Sequence, residues 1–183
     1  MQLALSLFAQ RGYEAVSISD IAGELGVTKG ALYRHYESKQ AIFRAILQRM
    51  EERDTELAQE ENVPLAGEKN TASLQEIIAF SKTMLRYWTL DPFARDFRRM
   101  LTIEQFRSAE NMALYQQYLG SGPVAYMSSM LSDLGYSDAE ALARRICGIR
   151  HLCYAACDGS TEIEKELKLT EEILDELERE LSK

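Results

Sequence analysis

Residues 17–43 read SISDIAGELGVTKGALYRHYESKQAIF and predict two short helices joined by a tight turn, followed by the start of a third. Ser17 can cap the first helix, with Asp20 three positions on in a capping box. Gly26 supplies the permissive backbone that the turn needs, and Thr28 can cap the second helix. This pattern is typical of a helix-turn-helix, which places one helix in the major groove of DNA.

The second helix of this motif is predicted to present a polar face to DNA. Leu32 is the expected inward anchor, and it turns outward Thr28, Lys29, Gly30, Tyr33 and Arg34. Glycine inside a helix lowers helix stability by about 1 kcal/mol relative to alanine. Gly30 is therefore better explained by a close approach of the helix backbone to a sugar-phosphate strand. Lys39 lies in the first turn of the helix that Ser38 caps, where a cation is unfavourable because the helix dipole is positive there. This position indicates a bound external anion. The alternative is a helical bundle whose polar face is basic by chance.

The charge of the chain is unevenly distributed. Its 183 residues carry a net charge of −8, yet residues 1–53 hold seven basic and six acidic side chains. An acidic body behind a locally basic segment is compatible with DNA binding. The apolar start lacks the basic segment of a signal peptide, no apolar run is long enough to span a membrane, and three clustered cysteines do not form a secreted disulfide framework. We therefore predict a cytoplasmic protein.

Hydrophobic periodicity predicts an all-α fold of about nine helices. We expect a three-helix helix-turn-helix domain over residues 1–45 and a larger effector-binding and dimerisation domain over residues 46–183. The clearest interruption is the loop 62–70. The predicted helices outside the motif cover residues 2–11 (stopped by Gly12), 38 to about 59 (capped by Ser38), and about 73–89, 92–106, 109–119, 124–134 and 138–157, with a final amphipathic helix after residue 160.

The N-terminal residues carry a specific resemblance. The run that carries it is Leu7-Phe8, Gly12-Tyr13, Ser17, Asp20-Ile21-Ala22, Gly26-Val27-Thr28-Lys29-Gly30-Ala31-Leu32-Tyr33, His35-Tyr36, Ser38-Lys39 and Ile42. Over about the first 50 residues this closely resembles the DNA-binding domain of TetR-family transcriptional regulators. Tyr36 and Gln40 stand where that family more often has Phe and Glu. Residue 1 falls within the family's usual first helix, so we expect either a longer natural N-terminus or weaker DNA binding.

The resemblance implies particular roles for these residues. Residues facing DNA would be Thr28, Lys29, Gly30, Tyr33 and His35, with Ser17 and Lys39 as phosphate contacts; Arg34 is added from its outward position. The resemblance also implies a homodimer held by the two C-terminal helices, a palindromic DNA operator, and a cavity for a small-molecule effector in each body.

Aromatic and methionine side chains crowd the middle of the chain and could line such a cavity, although core packing is the alternative for each. The candidate ligand-binding residues are Tyr87, Trp88, Phe97, Met100, Phe106, Tyr118, Tyr126, Met127, Arg150 and Tyr154. Arg150 interrupts the apolar stripe of its helix, and a buried guanidinium needs a partner. That partner is either Glu104 or an anionic effector.

The sequence offers little for catalysis. Cys147 and His151 lie on a different side of their helix from Cys153 and Cys157, so the four cannot close one tetrahedral metal site. We predict no metal, no cofactor and no enzymatic activity. The interpretation that these features favour is a ligand-responsive repressor that binds its operator as a dimer and is released by an effector. The alternative is a helix-turn-helix activator or adaptor without a ligand.

Overall fold

The computed structural model describes residues 1–61, 63–65 and 67–182, and these form ten α-helices and no strand. The helices are α1 (Gln2–Arg11), α2 (Ile18–Glu24), α3 (Lys29–Tyr33), α4 (Lys39–Glu60), α5 (Leu74–Leu90), α6 (Pro92–Glu104), α7 (Ala109–Tyr118), α8 (Ser121–Asp133), α9 (Ala139–Gly159) and α10 (Ile163–Leu181). The predicted all-α class is confirmed, and the described residues form ten helices where about nine were predicted. Asn62 and Ala66 of the predicted loop, and Lys183 of the predicted second domain, lie outside the described residues.

The helices divide into two compact units. The first contains residues 1–55 and 92–115, and the second contains residues 56–91 and those from 116 onward. The first unit thus joins the N-terminal helices with α6 and α7. The predicted division of function between residues 1–45 and 46–183 stays a prediction.

Helix ends follow local sequence signals closely. α1 has its predicted bounds, and Gly12 ends it with φ +82°. α3 and α6 each stop about two residues earlier than predicted, at Tyr33 and Glu104. α8 begins at Ser121 rather than Val124, because Pro123 fits the first turn, where its missing N–H is not needed.

In the first unit, α1 packs against α2 and α6, and α2 packs against α3. Its core is built from α1, α2, α4, α6 and the segment between α1 and α2, and its fully buried apolar side chains include Leu5, Phe8, Val16, Ile21, Ile42, Ile46, Met50, Phe97, Met100 and Leu101. This packing fixes where the helix-turn-helix lies within the unit.

In the second unit, α9 packs against α5, α8 and α10. Its core draws on all four helices and includes Ile77, Ile78, Met127, Met130, Leu131, Leu142, Ala143, Ile146, Leu174 and Leu177. Arg86 joins α5 to α10 through a two-point pair with Glu171, at 2.6 Å from Nε and 3.1 Å from Nη2. No helix in the described part of the chain is long and apolar enough to cross a membrane.

Candidate nucleic-acid interface

The start of α2 is fixed by a capping box, as predicted. The backbone N–H of Asp20 donates to Ser17 Oγ at 3.2 Å, and the N–H of Ser17 donates to Asp20 Oδ2 at 2.7 Å. The Ser17 hydroxyl also donates to Asp20 Oδ2, and this bond, together with the one from the Ser17 N–H, lowers the pKa of the Asp20 carboxyl. The cap orients α2 as the supporting helix of the motif.

The turn between α2 and α3 needs its glycine. Gly26 has φ +67°, a left-handed conformation that side chains with a Cβ adopt only at a cost. The next residue, Val27, donates its N–H to the carbonyl of Ala22 at 2.9 Å. Ala22 is buried, which lets the chain close tightly over α2.

α3 has one buried side chain, Leu32, and one partly buried residue, Ala31, and its other residues are exposed. Thr28 Oγ1 accepts the N–H of Ala31 at 3.1 Å, which confirms the predicted cap. Leu32 is only 6% exposed and anchors the helix inward as predicted. A Cβ on Gly30 would meet only Thr28 Oγ1, at 4.0 Å. The chain's own packing therefore leaves room for a side chain at residue 30.

The side chains predicted to face DNA share a solvent-exposed position, with one exception. The exposed residues are Ser17, Thr28, Lys29, Gly30, Tyr33, Arg34 and His35. Leu25, just after α2, is an apolar residue that is 45% exposed. The reason is that α2 ends at Glu24 and Leu25 is its C-cap, so this side chain leaves the helical stripe. Leu25 and Val27 therefore add apolar surface beside α3.

Lys39 is the exception, because its side chain points toward the turn after α1. Its Nζ donates to the carbonyl of Tyr13 at 2.8 Å and of Glu14 at 3.4 Å. The ammonium also lies 4.2 Å from the centre of the Tyr13 ring. These contacts give Lys39 a partner inside the unit, so the helix dipole alone no longer calls for an external anion.

A buried carboxylate, Glu104, supports the same turn. Its Oε1 accepts the backbone N–H of Tyr13 at 2.8 Å, and its Oε2 lies 3.1 Å from Nε of Arg107. Gly12 lies so close that a Cβ there would be 2.9 Å from Glu104 Oε1. Sequence reasoning did not assign Glu104 to this role, since its partner is 91 residues away and no local pattern connects the two.

A cleft of about 610 Å³ opens beside this contact within the first unit. One side is formed by Tyr13, Glu14, Gln40 and Phe43, and the other by residues 104–114 of α6, α7 and their connection. Its acidic and aromatic lining was not predicted from the sequence.

The candidate ligand residues of the first unit have different surroundings. Phe97 and Met100 are fully buried on α6. Phe106 is 82% exposed, so its assignment to an interior cavity was wrong. α6 ends at Glu104, and the side chain of Phe106 is on the following turn rather than on the buried stripe.

The candidates of the second unit are mostly enclosed. Trp88, Tyr118, Met127 and Tyr154 are buried, and Tyr87 and Tyr126 are partly buried. The rings of Trp88 and Tyr118 lie 6.4 Å apart. The hydroxyl of Tyr126 donates to the carbonyl of Pro64 at 2.6 Å, and burial raises the pKa of that hydroxyl to about 12. Met127 belongs to the hydrophobic core.

Arg150 is buried on α9, and the expected alternative partner is already engaged. The Glu104 carboxylate binds Tyr13 and Arg107 inside the first unit. Among the described residues, the Arg150 guanidinium makes one hydrogen bond, from Nη2 to Cys147 Sγ at 3.4 Å. Its Nε is buried without a partner.

The cysteines of α9 pack within the second unit. Cys153 and Cys157 are buried with their sulfur atoms 3.7 Å apart. In the described ranges, no group of three or more His, Cys, Asp or Glu side chains could hold a metal ion.

Taken together, the capped α2, the glycine turn and the exposed α3 define a helix-turn-helix protein. The family profile described as "Bacterial regulatory proteins, tetR family" matches residues 1–46, which contain these three features. Over these N-terminal residues the chain is similar to the tetR family of bacterial regulatory proteins.

Curated relatives match over the same N-terminal segment. The HTH-type transcriptional repressor KstR2 of Mycolicibacterium smegmatis is 40% identical over 47 residues, which are 26% of this chain and 23% of that protein. The A-factor receptor protein of Streptomyces griseus is 45% identical over 62 residues, or 34% of this chain and 22% of that protein. The matches thus span about a quarter of these relatives' length. One of these two relatives is named as a transcriptional repressor and the other as a receptor.

The fold is also found in a solved structure. A TetR-like transcriptional regulator from Rhodococcus sp. RHA1 aligns with a TM-score of 0.68 and 20% identity, covering 94% of this chain and 89% of that one. At this identity the likeness concerns the fold alone.

Proposed function

We propose that this protein is a DNA-binding transcriptional regulator, acting as a repressor in the cytoplasm. The observation that carries the proposal is the outward surface of α3, where Lys29, Gly30, Tyr33 and Arg34 are exposed while Leu32 alone is buried. Lys29 and Arg34 can reach base edges or phosphates, and the hydroxyl of Tyr33 can bond a phosphate. The N-terminal similarity to a repressor, KstR2, supports the direction of regulation.

Gly30 supports this proposal independently of charge. A Cβ at residue 30 would meet no atom of the chain closer than 4.0 Å, so the protein's own packing does not require a glycine there. A close approach of the helix backbone to DNA gives the missing reason. Ser17 and Lys39 would add phosphate contacts at the edges of the motif, with Lys39 using its remaining N–H bond beside the carbonyl of Tyr13.

The protein would bind DNA as a homodimer through α9 and α10. Leu152 is 72% exposed on α9, and Ala141, Gly148 and Ala155 lie exposed on the same face. Small residues around one large apolar side chain let two helices approach closely. On α10, Leu169 and Ile173 form an exposed apolar pair. These faces suit a self-complementary four-helix contact between two copies.

A dimer would place two α3 helices in successive major grooves of a near-palindromic operator, about 34 Å or a small multiple apart. A small-molecule effector bound in the second unit would favour a different spacing of the two helices and release the operator. The name of the A-factor receptor protein, which is similar over its N-terminal segment, is in keeping with control by a ligand.

Footprinting of DNA upstream of the chain's own gene tests the proposal. The expected result is one discrete, roughly two-fold symmetric protected site. The proposal would be contradicted if protection were diffuse or absent at protein concentrations of about 1 μM, well above the typical dissociation constants of specific DNA-binding proteins. A discrete site whose occupancy no small molecule changes would instead favour an activator or adaptor without a ligand.

A further inference from the structure

A buried arginine of the second unit has no counter-charge among the described residues. Arg150 is 8% exposed and is the one buried charged residue in the described part of this unit; the buried polar residues there are otherwise the uncharged Asn70, Ser81, Thr89 and Thr170. Among the residues that the structure describes, its guanidinium donates only to Cys147 Sγ, a weak acceptor, at 3.4 Å. Its Nε is buried and has no partner. An unpaired buried charge destabilises the folded protein, so an anion that paired with Arg150 would be stabilising.

We propose that Arg150 binds the carboxylate of an organic monoanion, which is the effector of the regulator. This inference rests on the proposed ligand-responsive function and names the chemical class of the ligand. A guanidinium matches a carboxylate through two parallel N–H···O bonds. On Arg150 the edge formed by Nε and Nη2 has this capacity, because Nε makes no bond and Nη2 makes only the weak one to sulfur.

The charge of the site selects a carboxylate over a phosphate monoester. A carboxylate brings one negative charge, which the single buried guanidinium neutralises. A phosphate monoester carries about −1.5 to −2 at neutral pH, so its binding would leave excess negative charge in the interior. No second buried cation is present in the described part of this unit to balance it.

The remainder of the ligand is expected to be apolar. Arg150 lies on the buried stripe of α9, between Ile146 one turn before it and Cys153 and Tyr154 one turn after it. α5 packs against α9, and Thr89 on α5 has a buried hydroxyl oxygen without a partner. An aliphatic or aromatic acid with few additional polar groups fits this environment better than a sugar acid or an amino acid.

The test uses the full chain and pairs of acids and esters. Octanoate, decanoate and phenylacetate, each beside its methyl ester, are titrated against the protein by calorimetry and by the fluorescence of Trp88, the single tryptophan. At least one acid is expected to bind about tenfold or more tightly than its ester, the ratio that one charged hydrogen bond supplies. Arg150→Met is expected to abolish this preference. Arg144→Met, on the exposed face of the same helix, is the matched control and is expected to keep it.

Arg150→Met also tests the cost of the unpaired charge without any ligand. This variant is expected to melt at the same temperature as the wild type or higher, whereas a purely structural arginine would lower the melting temperature on removal. A second variant, Arg150→Lys, keeps the charge and is expected to fold and to retain a reduced acid preference.

Three outcomes would overturn the proposal: no acid of the panel binds better than its ester, Arg150→Met keeps the preference, or Arg150→Met melts well below the wild type. Failure of the regulatory function has a different signature. If an acid binds through Arg150 but leaves operator affinity unchanged, the proposal of a carboxylate site at Arg150 is supported and the proposed ligand-responsive function is contradicted.

Discussion

The carboxylate of Glu104 accepts the backbone N–H of Tyr13 at 2.8 Å and joins the end of α6 to the turn between α1 and α2. The helix-turn-helix is therefore supported by a charged hydrogen bond from a helix 91 residues away in sequence. Lys39 holds the other side of the same turn by donating to the carbonyl of Tyr13 at 2.8 Å. The peptide groups of this turn are thus fixed from both directions.

Removing the Glu104 carboxylate should destabilise the first unit. Glu104→Ala leaves the N–H of Tyr13 without its acceptor and takes the partner from Arg107, and we expect the free energy of unfolding to fall by about 2–3 kcal/mol. Urea denaturation measures it. Glu110→Ala, at an exposed position in the same cleft, should change stability by less than about 0.5 kcal/mol. Equal effects of the two substitutions would show that the Tyr13 contact contributes nothing.

Two glycines with positive φ allow backbone strain to be separated from crowding. Gly12→Ala introduces both, because φ is +82° and the new Cβ would lie 2.9 Å from Glu104 Oε1. Gly26→Ala introduces strain alone, because φ is +67° and nothing lies within 4 Å of the added atom. We expect a cost of about 1–2 kcal/mol for Gly26→Ala and a larger one for Gly12→Ala. Thermal unfolding of the two variants decides the order, and the reverse order would contradict the placement of Glu104.

Lys39 should contribute to stability as well as to DNA binding. Lys39→Ala removes the hydrogen bond to the carbonyl of Tyr13, and we expect the free energy of unfolding to fall by about 1–2 kcal/mol. Arg34→Ala removes only an exposed side chain and should leave stability within about 0.5 kcal/mol of the wild type. Equal stability of the two variants would mean that Lys39 acts on DNA alone.

Charges introduced into the apolar face of α9 and α10 should separate the proposed dimer. Leu152→Lys and Ile173→Lys place a cation on each exposed face without disturbing a buried residue. We expect monomers by light scattering and non-cooperative, weaker binding to a palindromic site. Lys165→Glu, at an exposed position at the start of α10, controls for a change of charge. A dimer that survives both substitutions would place the interface elsewhere.

Asp54 should make stability depend on pH. Burial raises the pKa of this carboxyl to about 7, above its ordinary value of 3.8. The folded state thus holds the proton more tightly than the unfolded chain, so the contribution of Asp54 to stability is greatest below about pH 4, falls as pH rises to about 7, and is constant beyond. The fall is at most about 4 kcal/mol. Asp54→Asn should flatten this part of the profile, while the exposed Glu60→Gln should not; an unchanged profile in Asp54→Asn would contradict the assignment.

The sequence predicts features that depend on neighbours in the chain, and it fails for those that depend on distant contacts. The caps at Ser17 and Thr28 and the anchor at Leu32 follow from residues within one or two turns, and the structure confirms all three. The position of Phe106 and the partner of Glu104 follow from where α6 ends and what it packs against. No periodic pattern encodes those facts, so the exposed Phe106 was misassigned and the Glu104–Tyr13 contact was not foreseen.

The central claim is that the exposed face of α3 binds DNA, and fluorescence anisotropy with a promoter fragment across a range of salt concentrations tests it most directly. Wild-type affinity should fall steeply with salt, since cationic contacts to phosphates release counterions. Lys29→Ala and Arg34→Ala should each weaken binding by about tenfold or more, and a variant that no longer binds one phosphate should have a salt slope smaller by about one. Arg144→Ala, exposed on α9, should match the wild type. Unchanged affinity in both Lys29→Ala and Arg34→Ala would contradict the account.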